Sequence, residues 1–153
     1  MQQLNLPTYP FKIKTEGQRT QIFDGIRKKY LVLTPEEWVR QHFVHFLMSE
    51  KGVPGSLIAI EKGLVLNGMQ KRCDLLVHDQ SGLPLLIVEC KAPKVKISQE
   101  TFDQIARYNM VLKVDYLVVT NGMDHYCCRI DHKNSSYEFL RDIPLYTEIT
   151  ASV

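Results

Sequence analysis

The chain has 153 residues, 44% of them hydrophobic and 24% charged, with a formal net charge of +2. That length suits one domain burying roughly two-thirds of the surface its unfolded form exposes, and the composition excludes a disordered, collagenous or repetitive chain. So small a net charge neither requires nor excludes nucleic acid, because binding follows the clustering of cations rather than their sum.

Residues 1–20 are polar, carry Pro7 and Pro10, and alternate weakly at Phe11 and Ile13, which suits an arm or an edge strand. They show no basic stretch followed by an apolar one, and no later run reaches the roughly 18 apolar residues of a membrane span, so a cytoplasmic location is expected. Next, 21–24 and 30–33 flank Asp24-Gly25, a turn signal that predicts a short hairpin. Thr34-Pro35-Glu36-Glu37 is a helix start: Thr34 as N-cap, Pro35 in the first turn and Glu37 placed to close a capping box. The helix should run over 34–50 with Val39, Phe43, Phe46 and Leu47 inward, and Gly52, Pro54 and Gly55 should end it. Its spacing puts Glu36 on the inward stripe and Glu37 off it.

Strands are expected at 57–60, 68–77 and 83–91, forming an antiparallel meander, with the unbroken run Leu85-Leu86-Ile87-Val88 as a central strand covered on both faces. Ser98 can cap a helix over 99–112, and 116–120 supplies the return strand of a β-α-β unit whose outer strands should be parallel. Asn121-Gly122 marks a turn before strands at 125–130 and 137–140, leaving 121–153 as additional strands and a tail. Cys73, Cys90, Cys127 and Cys128 lack CxxC or zinc spacing, so reduced thiols are expected, and the five histidines show no HExxH pattern.

Strand alternation places Glu89 and Lys91 on one face, and a hairpin over 74–91 would bring Asp74 to the same strand end. Two carboxylates are what Mg²⁺ takes from a protein, leaving its other positions to water and phosphate, and a lysine nearby suits phosphodiester hydrolysis. An exposed cross-strand ion pair, worth below about 1 kcal/mol, would use the same residues and do nothing chemical. The two readings are evenly matched on spacing alone.

Asp74 followed by Ile87-Val88-Glu89-Cys90-Lys91 resembles the D…(D/E)xK core of the PD-(D/E)xK nuclease superfamily, and the element order is similar to its αβββαβ core. Gln104-Ile105-Ala106-Arg107-Tyr108 resembles the QxxxY element of RecB-like members. Together with 33–41, Lys71-Arg72-Cys73-Asp74, Glu89-Cys90-Lys91-Ala92-Pro93 and 117–122, it looks like the N-terminal nuclease domain family of type I restriction enzyme R subunits. The resemblance implies an α/β, restriction-endonuclease-like fold, with a mixed sheet flanked by helices and 57–120 as the catalytic core of a single nuclease-like domain. It implies Mg²⁺, replaceable by Mn²⁺, held by Asp74, Glu89 and the backbone carbonyl of Cys90, with a further carboxylate from the first helix, for which Glu36 is the better match and Glu37 the alternative. Lys91 would be the catalytic lysine, with Gln104 and Tyr108 acting beside it. Arg72, Lys94 and Arg107 flank the site as phosphate contacts.

The implied activity is endonucleolytic cleavage of DNA in restriction or DNA processing. The implied partners are DNA and other subunits of a restriction or repair system; a homodimer would suit cutting both strands. No GxxxxGK[ST] loop occurs, so no helicase motor is expected within these residues. Two other functions use the same fold: a catalytically silent DNA-binding domain, and a regulatory or protein-interaction subunit.

Overall fold

A computed structural model describes residues 2–66, 68–110 and 112–151, apart from the side chains of Leu64, Leu66, Met69, Lys71 and Tyr108. The chain opens with three antiparallel strands, β1 (Ile13–Glu16), β2 (Arg19–Asp24) and β3 (Lys29–Val32), which form their own small sheet. The Asp-Gly signal is a true turn: the Asp24 carboxylate accepts the amides of Ile26 at 2.8 Å and Arg27 at 2.9 Å, fixing the β2–β3 hairpin in register.

Helix α1 (Pro35–Lys51) begins and ends where its caps dictate. Thr34 Oγ1 accepts the Glu37 amide at 3.0 Å, and Gly52 closes the helix in the left-handed region at φ 71°. The expected capping box is only half formed, because the Glu37 carboxylate turns to Arg40, Gln41 and Arg27 instead of the N-cap amide. Glu37 is buried and Glu36 lies half-exposed at the rim, the reverse of the orientation expected from spacing. The stripe counted from Val39 omits the polar contacts that draw Glu37 inward.

After a short 3₁₀ turn (Gly55–Leu57), a six-stranded sheet runs in the order β4 (Ile58–Leu66), β5 (Met69–His78), β6 (Pro84–Cys90), β7 (Tyr116–Thr120), β8 (His125–Asp131), β9 (Ser136–Leu140). Every pairing is antiparallel except β6 with β7, which are parallel and joined by α2 (Gln99–Met110), as the β-α-β reading requires. One face of the sheet packs Leu75, Val77, Leu86 and Val88 against Val39, Phe43 and Leu47 of α1; the other packs Leu76, Ile87, Leu117 and Val119 against Phe102 and Ala106 of α2. Central β6 therefore reads as an unbroken apolar run because both of its faces are covered.

One element departs from expectation. The segment 141–151 is more than a tail: α3 (Tyr146–Ala151) puts Tyr146 and Ile149 into the α1-side core, and the Glu148 carboxylate accepts the Leu145 amide at 2.9 Å. At the other end β1 forms an edge of the small sheet, and the polar residues before it are strapped over α1. Leu4 is buried, the Asn5 amide donates to Gly122 O at 2.8 Å, and Trp38 Nε1 donates to Gln2 O at 2.7 Å.

Candidate active site

Strands β5 and β6 pair as far as Leu75 with Val88, and that register carried one step further sets Asp74 across from Glu89. There the strands part. Cys73 and Leu76 enter the α2-side core while Leu75 and Val77 enter the other, so strict alternation is broken at Asp74. The amide of Cys90, instead of meeting a strand carbonyl, donates to Asp74 Oδ2 at 2.7 Å. On its other side β6 stays in step with β7, Cys90 opposite Thr120, and the Lys91 amide donates to Thr120 O at 2.8 Å. Asp74 is thereby pinned to the strand end that carries half-buried Glu89 and Lys91. The Cys90 thiol between them is fully buried, and burial together with the neighbouring Asp74 carboxylate pushes its pKa well above the ordinary range.

Asp74 also meets α1. Arg40, buried within the first turns of the helix, donates from Nη2 to Asp74 Oδ1 at 3.1 Å and to Glu36 Oε1 at 2.9 Å, and from Nη1 to Glu37 Oε1 at 2.7 Å. Glu61 lies 3.5 Å from the same guanidinium. Glu61 belongs to β4 and has φ 52°, an uncommon left-handed conformation for a residue with a side chain, at the point where the β4–β5 ladder skips Asp74. Behind Arg40, Arg27 bonds Asp24 at 2.6 Å and lies 3.4 Å from Glu37, while Gln41 Nε2 donates to both Asp24 and Glu37 at 3.0 Å. The network thus ties the small sheet, α1, β4 and β5 to one another. Burial works against the Arg40 charge, but Glu37 and Asp74 outweigh it and raise its pKa further. Burial likewise opposes ionisation of Asp24, and the Arg27 amide and guanidinium with Gln41 overcome it, holding that carboxyl below its ordinary value.

Of the residues expected at the site, Asp74, Glu89, Cys90 and Lys91 lie at the same parting of strands, with Glu36 joined to them through Arg40. Gln104 is exposed on α2; Tyr108 lies in the same helix, its side chain outside the described residues. Arg72, Lys94 and Arg107 are exposed, Arg72 lying 3.3 Å from Glu61. A cleft of about 650 Å³ opens between α1 and the loop that follows β6, lined by Arg27, Glu36, Arg40, Glu61 and Lys94 among others. Sequence reasoning missed Arg40 and Glu61. For Arg40 a signal was present, since Glu36 and Glu37 precede it by four and three positions on one helix face.

Among the described residues no three His, Cys, Asp or Glu side chains converge as a metal cage. Mg²⁺ does not need one: it takes one or two carboxylates and completes its shell with water and phosphate. Asp74, tied by the Cys90 amide to the strand end that carries Glu89 and the Cys90 carbonyl, brings hard oxygen donors together in a way that matches that chemistry. No described helix is long and apolar enough to cross a membrane.

The family model described as "Type I restriction enzyme R protein N terminus (HSDR_N)" matches residues 35–144. Among solved structures, one described as a fragment of a type I restriction enzyme HsdR subunit from Vibrio vulnificus YJ016 superposes with a TM-score of 0.54 at 21% identity, over 78% of this chain and 25% of that one. The chain therefore spans about a quarter of the length of the structure it matches. No curated protein matches it. The shared architecture is the restriction-endonuclease-like fold: α1, β4 to β6, α2 and β7 follow its αβββαβ order.

Proposed function

Because this chain belongs to the family of type I restriction enzyme R protein N termini, we propose that it is a Mg²⁺-dependent endodeoxyribonuclease of the PD-(D/E)xK kind, serving restriction or DNA processing. The observation that carries this reading is the bond from the Cys90 amide to Asp74, which fixes one carboxylate at the strand end holding a second carboxylate and a lysine. Asp74, Glu89 and the Cys90 carbonyl would hold the ion, and Mn²⁺ would substitute for it. When bound, the ion supplies a Lewis acid for the phosphate and a water of lowered pKa.

The chain's own groups do the rest. Lys91 holds the attacking water against the scissile phosphate and neutralises charge as it develops there. Cys90 fixes the Asp74 rotamer through its amide, and Arg40 holds the other Asp74 oxygen, so the carboxylate is set before substrate arrives. Gln104 and Tyr108, four apart on α2, can reach one strand of DNA together. Arg72, Lys94 and Arg107 are exposed cations for the flanking phosphates. DNA and the other subunits of a type I restriction system are the partners this assigns, with 57–120 as the catalytic core of one nuclease unit.

Incubation with linear, circular and branched DNA under Mg²⁺ and Mn²⁺ tests the assignment. Cleavage by the wild type that disappears in Asp74→Ala and Lys91→Ala is the expected result; cleavage that survives both substitutions refutes the site, and DNA binding without cleavage under any condition refutes the activity.

A further inference from the structure

We infer that Arg40 is a fixed cation standing where a second metal ion would sit, so that the site works with one divalent ion and Glu36 is not a metal ligand. The inference deepens the metal-dependent reading above and rests on it. A second ion bridging the α1 carboxylate to Asp74 would need oxygens of both residues at about 2.0–2.1 Å. Those oxygens are already bridged: Arg40 Nη2 lies 2.9 Å from Glu36 Oε1 and 3.1 Å from Asp74 Oδ1. An ion between them would overlap the guanidinium and repel it. The guanidinium has little freedom to withdraw, because its other amine is 2.7 Å from buried Glu37 and the residue is buried throughout.

Charge argues the same way. Around Arg27, Arg40 and Arg72 stand five carboxylates, Asp24, Glu36, Glu37, Glu61 and Asp74, so the carboxylates outnumber the three guanidiniums by two. That surplus attracts a divalent ion, and the side of Asp74 toward Glu89 lies away from the α1 contact. Of the two Asp74 oxygens, Oδ1 meets α1 through Arg40, while Oδ2 meets β6 through the Cys90 amide. The geometry divides the carboxylate between a protein cation on one side and a metal position on the other. Arg40 is accordingly a positioning residue: it acts through Asp74.

Counting bound Mn²⁺ on the full chain, by calorimetric titration with Mn²⁺ alone and by the electron paramagnetic resonance of free ion, tests this without any cleavage assay. One Mn²⁺ per wild-type chain, abolished by Asp74→Ala, is expected. Two ions per chain would overturn the inference while leaving the metal site standing, whereas none would overturn the metal site itself. The variant Glu36→Gln, at the half-exposed rim of α1, removes the competing ligand without opening the core. Its Mn²⁺ affinity should change by less than the roughly tenfold that loss of even an outer-shell partner costs; a larger loss makes Glu36 a ligand and refutes the assignment.

Discussion

Arg40 and Asp74 lie 34 positions apart in sequence and meet at 3.1 Å, the guanidinium of the first helix donating to the carboxylate of the second strand of the meander. The contact joins the stability of the fold to the geometry of the site, because Arg40 also neutralises the buried Glu37.

Arg40→Ala should therefore destabilise strongly. It leaves Glu37 in the core without its closest cation, a change of the kind that costs about 3–5 kcal/mol. Urea unfolding at unchanged m-value measures it. Adding Glu37→Gln should recover part of the loss; an additive double variant would mean the two residues do not act as a pair.

Gly122→Ala should cost about 1–3 kcal/mol for holding a side chain at an unfavourable φ. Gly122 sits at φ 86°, and a methyl group there would come within 2.9 Å of Leu4 and 3.1 Å of Val39. Pairing the variant with Leu4→Ala should relieve the Leu4 contact but neither the Val39 contact nor the backbone strain, so thermal melting of the double variant should remain below that of Leu4→Ala alone.

What could be read in the sequence follows the range over which each signal acts. Helix α1 was legible because Thr34, Pro35 and Gly52 set its ends locally, and the β6–α2–β7 unit because an unbroken apolar strand, an amphipathic helix and a second apolar strand leave one connection open. The site was legible at Asp74, Glu89 and Lys91 only as residues sharing a strand end. What was not legible was the environment: the burial of Glu37 depends on Arg27 from a separate sheet, and Glu61 reaches Arg40 through a left-handed backbone that no propensity anticipates. Helix α3 was missed because six residues with two apolar contacts make too short a pattern to show a period.

Stability should fall on mild acidification through His42 and His45. Burial lowers both below the ordinary value of 6.5, with Trp38 O opposing the shift at His42 and Asp24 opposing it at His45. The unfolded chain therefore takes up protons first as pH drops. The contribution is complete above 6.5 and is lost as pH falls through the folded values. Tyr9 stacks on His45 at 5.2 Å and Phe11 lies 4.7 Å from His42, so the N-terminal strap should loosen first. Melting temperature followed against pH, with His42→Phe as comparison, checks this: the dependence should flatten in the variant.

Cys127 and Cys128 should resist thiol reagents in the folded protein. Burial pushes both thiols up to about 12, and they lie on opposite faces of β8 in different cores. Titration with a chromogenic disulfide near neutral pH should label them only after denaturant is added; rapid labelling of the native chain would show that β8 opens to solvent.

Crystallography with Mn²⁺ tests most directly whether the parting of β5 from β6 is a metal site. An anomalous difference peak touching Asp74, Glu89 and the Cys90 carbonyl, with Arg40 still bonded to Asp74, is the expected result. A crystal grown in saturating Mn²⁺ with no peak at that strand end, or with its only peak elsewhere, would mean that Asp74 and Glu89 do not hold a metal ion.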